Sequence, residues 1–295
     1  MMSLRCVFSV RSKLSLCCLG VLLASIFVRQ ANAEISFVDM FRTNTFVQNG
    51  DGNSLASGGS FLTLSLTSTN PGDYDSVEST YPGPGSPVAL GATDPTTFTY
   101  QTPTLPTQAA MDAAFPTGTY EFAASNVGGT DTASFDYTAD YYSQSLPYLA
   151  GSSYSSLQNM NPLVDQTVQF NPDASDPGST SAFVFFTVRD NATSALVFNA
   201  SFLSSTTTSE TIPANTLAPN GSYTYELIFS DRLQVPSPGA VFDAQIGYDL
   251  RTTGTFATAP EPATWLSAAM GLLILAVRWR RHGSGFLKRR CREFS

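Results

Sequence analysis

Along the middle of the chain, apolar side chains recur at every second position. Leu62, Leu64 and Leu66 alternate with Thr63 and Ser65, Tyr120 and Phe122 flank Glu121, and Tyr223, Tyr225, Leu227 and Phe229 fall on one face of the run 222–230. A period of two is the signature of a strand with one face buried. Further runs rich in Phe, Tyr, Val and Thr, at 35–41, 131–138, 167–171, 182–189, 195–203 and 241–256, extend the pattern. Asn-Gly, Pro-Gly and Asp-Pro dipeptides separate them, and these are turn formers. One helix is expected, a short one over 108–114 with Thr107 as its cap. The reading is an all-β body built as antiparallel sandwiches.

An internal echo bears on how many. Pro116-Thr-Gly118-Thr-Tyr120 recurs 103 residues later as Pro219-Asn-Gly221-Ser-Tyr223, each time opening an aromatic-rich strand. A tyrosine set just after a Pro/Gly corner resembles the tyrosine corner of immunoglobulin-like and fibronectin type III sandwiches, and that resemblance implies a hydroxyl bonded back to the corner backbone. A spacing of about 100 residues is one such sandwich. The expectation is two tandem modules, 34–145 and 146–259, parted near Ser145-Leu146-Pro147, with one larger sandwich as the alternative.

The two ends read differently. Arg5, Arg11 and Lys13 precede an apolar stretch from Leu14 to Val28, and Ala31-Asn32-Ala33 follows, so residues 1–33 read as a helical signal peptide cut by signal peptidase before Glu34. Cys17 and Cys18 lie in the middle of that stretch behind the bulky Leu16, which does not suit lipidation. At the other end, Pro260-Glu261-Pro262 leads into the uncharged run Ala263 to Val277 and then Arg278-Trp279-Arg280-Arg281. Fifteen helical residues reach about 22 Å, short of a hydrocarbon core of about 30 Å, so a single transmembrane helix here must borrow flanking residues and snorkelling arginines. The triplet, the run and the arginines resemble the PEP-CTERM sorting signal of Gram-negative bacteria over residues 260–282. That resemblance implies a transient stay in the inner membrane, cutting by exosortase near the triplet, and release to the cell surface in association with exopolysaccharide. Residues 283–295 then form a basic cytoplasmic tail.

Setting the ends aside changes the charge. Residues 34–259 hold four arginines, no lysine and 21 acidic residues, a net charge of −17 against −8 for the whole chain. So acidic a body is a poor partner for nucleic acid or anionic membranes, though it suits solubility or cation binding. All four cysteines (Cys6, Cys17, Cys18, Cys291), His282 and both tryptophans lie in the end segments. Ser-His-Asp and Cys-His catalysis, zinc sites and Schiff-base lysines therefore have no residues to work with in the body.

Three chemistries are left to weigh. Calcium is one: Asp73, Asp75 and Glu78 form a carboxylate cluster after a Pro-Gly turn. The oxygen-rich run Asn49-Gly50-Asp51-Gly52-Asn53 starts like a calcium loop, but Ser54 and Ser60 stand where the glycine and the closing glutamate belong, so it reads as a hairpin turn. Carbohydrate is the second, with Tyr141 and Tyr142 at the centre of a tyrosine-rich stretch that includes Tyr137, Tyr148 and Tyr154; strand packing is the competing fate of such rings. A carboxylate pair for glycoside hydrolysis is the third, yet the five glutamates of the body stand singly and no catalytic residue can be assigned. The body is expected to be a non-enzymatic surface protein, structural or adhesive, without a cofactor unless calcium binds.

Overall fold

The computed structural model describes residues 33–260 and Met270. The expected signal and transmembrane helices, together with Ala31, Glu261, Pro262, Arg278, Arg280 and Arg281, lie outside the described residues. No described helix is long and apolar enough to cross a membrane.

Four 14-residue strands make the frame: β1 (Ile35–Gln48), β2 (Leu55–Ser68), β12 (Ser222–Val235) and β13 (Ala244–Ala257). Shorter strands complete the set: β3 (Ser76–Thr80), β4 (Val88–Ala92), β5 (Thr97–Gln101), β6 (Gly118–Asn126), β7 (Gly129–Tyr137), β8 (Gln166–Gln169), β9 (Ser181–Asp190), β10 (Leu196–Ser204) and β11 (Ser209–Ile212). Eleven strands form one sheet in the order β10-β9-β12-β13-β1-β2-β5-β4-β3-β6-β7, and β11 pairs with β8 in a second. The halves 34–145 and 146–259 meet inside the large sheet, because β13 lies between β12 and β1. Its pairing with β1 is parallel, running from Asp39↔Gln245 to Val47↔Thr253, whereas the other ladders are antiparallel.

Alternation places one face of the long strands inward, and that face carries two apolar cores. Met40, Leu62, Leu64, Leu66, Ile246 and Tyr248 pack with Phe122 and Phe135, so the sheet folds back until β6 and β7 cover its own centre. The fold closes where the Ser134 amide of β7 donates to Pro238 O in the β12–β13 loop (3.1 Å). The second core, Val184, Phe186, Val188, Tyr225, Leu227 and Phe229, is covered by the β8–β11 pair and the short helix α2 (Ser153–Leu157). Helix α1 (Gln108–Ala114) packs Met111 into the first core, and the Thr107 side chain accepts from the Ala110 amide, as its sequence predicts.

Both tyrosine corners are present. The Tyr120 hydroxyl donates to Pro116 O (3.1 Å), and the Tyr223 hydroxyl accepts from the Ala218 amide (2.7 Å). Each pins a strand start to the loop before it, which is why the Pro-x-Gly-x-Tyr pattern recurs.

Candidate functional site

Between the two cores the inward face turns polar. Arg42, Asn44 and Gln48 on β1, Asp231 on β12 and Thr252 on β13 are all buried. Across them runs the connector from β7 to α2, residues 138–152, the stretch in which the sequence places the module boundary. The Arg42 Nε lies 3.0 Å from Asp140 Oδ1, a further guanidinium nitrogen bonds Asp112, and Nη1 donates to Phe115 O (3.0 Å). The Tyr248 hydroxyl donates to Ala139 O (2.8 Å), and Thr252 Oγ1 to Pro147 O (2.6 Å). Gln48 works in both directions: its Oε1 accepts from the Leu149 amide (2.9 Å) and the Tyr225 hydroxyl (2.8 Å), and its Nε2 donates to Leu149 O (3.1 Å). Burial alone would depress the Arg42 guanidinium, but Asp140 and the neighbouring tyrosine and Asp112 oxygens outweigh it and hold it above its ordinary value. The chemistry here is spent on the chain itself. A buried cation answered by two carboxylates, a carbonyl and the Tyr137 ring (4.6 Å) is a structural staple.

This belt decides the place of Tyr141 and Tyr142. Both rings stand edge-to-face with Tyr248, at 5.6 and 5.5 Å, and both are half-buried against the first core. They serve as packing residues of the connector.

Two more carboxylates are held in unusual states. Burial pushes Asp39 up to about 6, against the opposing pull of Ser65 and Arg232. Burial pushes Asp231 up to about 7, helped by Asp173, Asp176 and Asp249 and opposed by the Asp176 amide that donates to it. They lie on opposite faces of the sheet, since Asp39 pairs with Gln245 and Asp231 with Tyr248, positions of opposite parity on β13. They do not form a catalytic pair.

The acidic cleft is elsewhere. A cavity of about 660 Å³ opens beside the turn that precedes β3, lined by Asp73, Asp75, Asn126, Thr130, Asp131 and the glycines of the β6–β7 turn. The structure thus brings Asp73 and Asp75 together with Asp131, which the sequence did not single out. Glu78 lies apart from this cleft: it is exposed on β3, opposite Ala89 and Ala123. Spacing along the chain misled here because the turn ends at Asp75, and strand alternation then directs Glu78 outward. Asp73 Oδ2 already accepts from the Asn70 amide (2.8 Å), and Asp131 Oδ2 from the Tyr74 hydroxyl (2.9 Å). Among the described residues no group of three or more His, Cys, Asp or Glu side chains is arranged to hold a metal ion. The run at 49–53 is the β1–β2 hairpin turn its sequence predicts, with the Asn49 amide donating to Ser54 O (3.0 Å). Of the residues that the sequence offers for sorting and cleavage, Ala33 and Glu34 directly precede β1, and Pro260 follows β13 by three residues.

No protein-family model and no curated protein matches the sequence. Among solved structures the chain is similar to chicken CNTN1 FN1-FN3 domains, with 8% identity and a TM-score of 0.25 over 77% of this chain and 66% of that one. It is similar to fibronectin(III)-like modules of Clostridium thermocellum CbhA at 12% identity and a TM-score of 0.26, over 77% of this chain and 94% of theirs. A third likeness is to the BSP domain of a biofilm associated protein, at 11% identity and a TM-score of 0.21, over 78% of this chain and 30% of that one. At such TM-scores these likenesses carry no argument about function.

Proposed function

We propose that the chain is an exported bacterial surface or matrix protein whose body is structural or adhesive and not catalytic. Signal peptidase removes residues 1–33, the tail holds the precursor in the inner membrane, and exosortase cuts near Pro260-Glu261-Pro262 to release the body to the cell surface. The observation that carries this reading is the order of the tail, Pro-Glu-Pro, apolar run, arginine cluster. The geometry of the body supports it. The first described strand begins at Ile35 and the last ends at Ala257, so every described strand lies between the two expected cuts. Arg42, Gln48 and the Tyr225 and Tyr248 hydroxyls are spent on internal staples, which favours a rigid scaffold over a catalyst. Association with exopolysaccharide comes with the PEP-CTERM resemblance.

The test is the mass of the mature protein from a host with active exosortase. A species that starts at Glu34 and ends near Pro262 is expected. Changing Pro260, Glu261 and Pro262 together to alanine should leave the protein in the membrane fraction. A mature protein that retains Arg278 to Ser295 would overturn the sorting reading.

A further inference from the structure

The strands nearest the two processing points are also hydrogen-bonded to each other, and they run the same way. β1 begins one residue after Glu34, β13 ends three residues before Pro260, and nine residue pairs join them, Asp39↔Gln245 to Val47↔Thr253. Because the pairing is parallel, the entry to β1 and the exit from β13 lie at opposite ends of the ladder, about 50 Å apart at about 3.3 Å per residue. A tension applied between them draws β1 one way and β13 the other, along the ladder and across every bond in it.

We propose that this pair is a shear clamp, which lets the body carry tension between residue 34 and residue 260. Three features argue for it. First, every other described strand lies between β1 and β13 in the chain, so none can extend until these two separate. Second, neither partner is at an edge: β1 is also paired with β2 along its whole length, and β13 with β12, so no end is free to peel. Third, the ladder has no intermediate resting place. A slip of one residue turns every side chain of β1 to the other face, moving Met40 out of the core and Arg42 away from Asp140. A slip of two under that tension carries Arg42 into the apolar place of Met40, away from Asp140, and Gln48 about 7 Å from Leu149. The bonds of such a ladder must break together, whereas bonds pulled from one end break in sequence.

Single-molecule pulling separates the two cases without altering the ladder. In the full chain, with Cys6, Cys17, Cys18 and Cys291 replaced by serine, one protein takes its handles at Glu34→Cys and Ala257→Cys, which loads the pair in shear. A second takes them at Glu34→Cys and Asp243→Cys, which pulls the same strands apart from one end. Glu34, Asp243 and Ala257 are exposed, so the handles leave the cores intact. The expected result is a rupture force several-fold higher in the first geometry, in a single event that releases the whole span between the handles. Equal forces, or a stepwise low-force extension in the first geometry, would overturn the clamp. The measurement is made on purified protein, so its outcome is independent of export and of exosortase.

Discussion

At the scale of the residue, Gln48 shows what the buried polar groups do. One amide side chain satisfies the backbone N–H and C=O of Leu149 and the hydroxyl of Tyr225, groups that no other side chain among the described residues reaches. Substituting alanine leaves them buried and unpaired at about 1–3 kcal/mol each. With partial relaxation, Gln48→Ala should cost about 3 kcal/mol in urea unfolding, and a change within experimental error would reduce the staple to an ordinary contact. Asp231 makes the opposite kind of prediction. Its folded value of about 7 stands above the ordinary 3.8, so between those values the folded state holds a proton that the unfolded chain has released. The stability this contributes is complete below about pH 4 and is lost as the pH rises to about 7; Asp39, at about 6, adds to the same slope. Asp231→Asn removes its share, so the melting temperature of the variant relative to the native protein should be higher at pH 8 than at pH 5. A constant difference across that range would contradict the raised value. Neither residue could have been singled out beforehand, because nothing in the local pattern around Gln48 or Asp231 says which loop will cross above it.

At the scale of the element, legibility followed length and amphipathicity. The alternating runs that became β1, β2, β6, β7, β9, β10, β12 and β13 announce themselves, and so do the Thr107 cap and the two tyrosine corners. The strands β3, β4 and β5 and the helix α2 do not, since Ser76-Val-Glu-Ser-Thr80, Val88-Ala-Leu-Gly-Ala92 and Ser153-Tyr-Ser-Ser-Leu157 bury only one or two side chains each and owe their form to their neighbours. Edges are managed by means equally hard to read in advance. β10 is interrupted by register shifts on either side of Ala200, and Phe202, 70% exposed, adopts a positive φ of 55° with its ring against Phe183 and Phe185. Such a bulge spoils the strand as a template for a further one. β7, at the other edge, is covered by the 236–240 loop. That cover depends on Gly239, whose φ is +89° and where an added Cβ would stand 1.8 Å from Thr132 O. Gly239→Ala therefore forces the loop off the strand. Hydrogen exchange at the Ser134 amide should accelerate markedly in that variant while the amides of β12 keep their protection; unchanged exchange at Ser134 would show that the loop is not the cover.

At the scale of the molecule, the question is whether 34–145 and 146–259 are two folding units or one. Sequence patterns favour two, because the corners repeat 103 residues apart. The sheet ties them together in a way no local pattern reveals, since a parallel pair between the first and last strands leaves no turn signal. Removing the second half takes Ala244, Ile246 and Tyr248 out of the first core and strips β1 of its parallel partner. Removing the first half exposes one whole edge of β13 and takes away the Gln48 amide that answers Leu149. A bare long edge and an opened core each exceed what a small domain can spare, given a net stability of about 5–15 kcal/mol. Residues 34–145 and 146–259 expressed apart should each lack cooperative unfolding, whereas the intact body should unfold in one transition with coincident circular-dichroism and fluorescence midpoints. Tyrosine is the reporter, because both tryptophans lie in the tail. Two separated transitions in the intact body, or a fragment with a sharp transition of its own, would show that the cores are independent. The β1–β13 ladder would then be a contact between domains and not the spine of one.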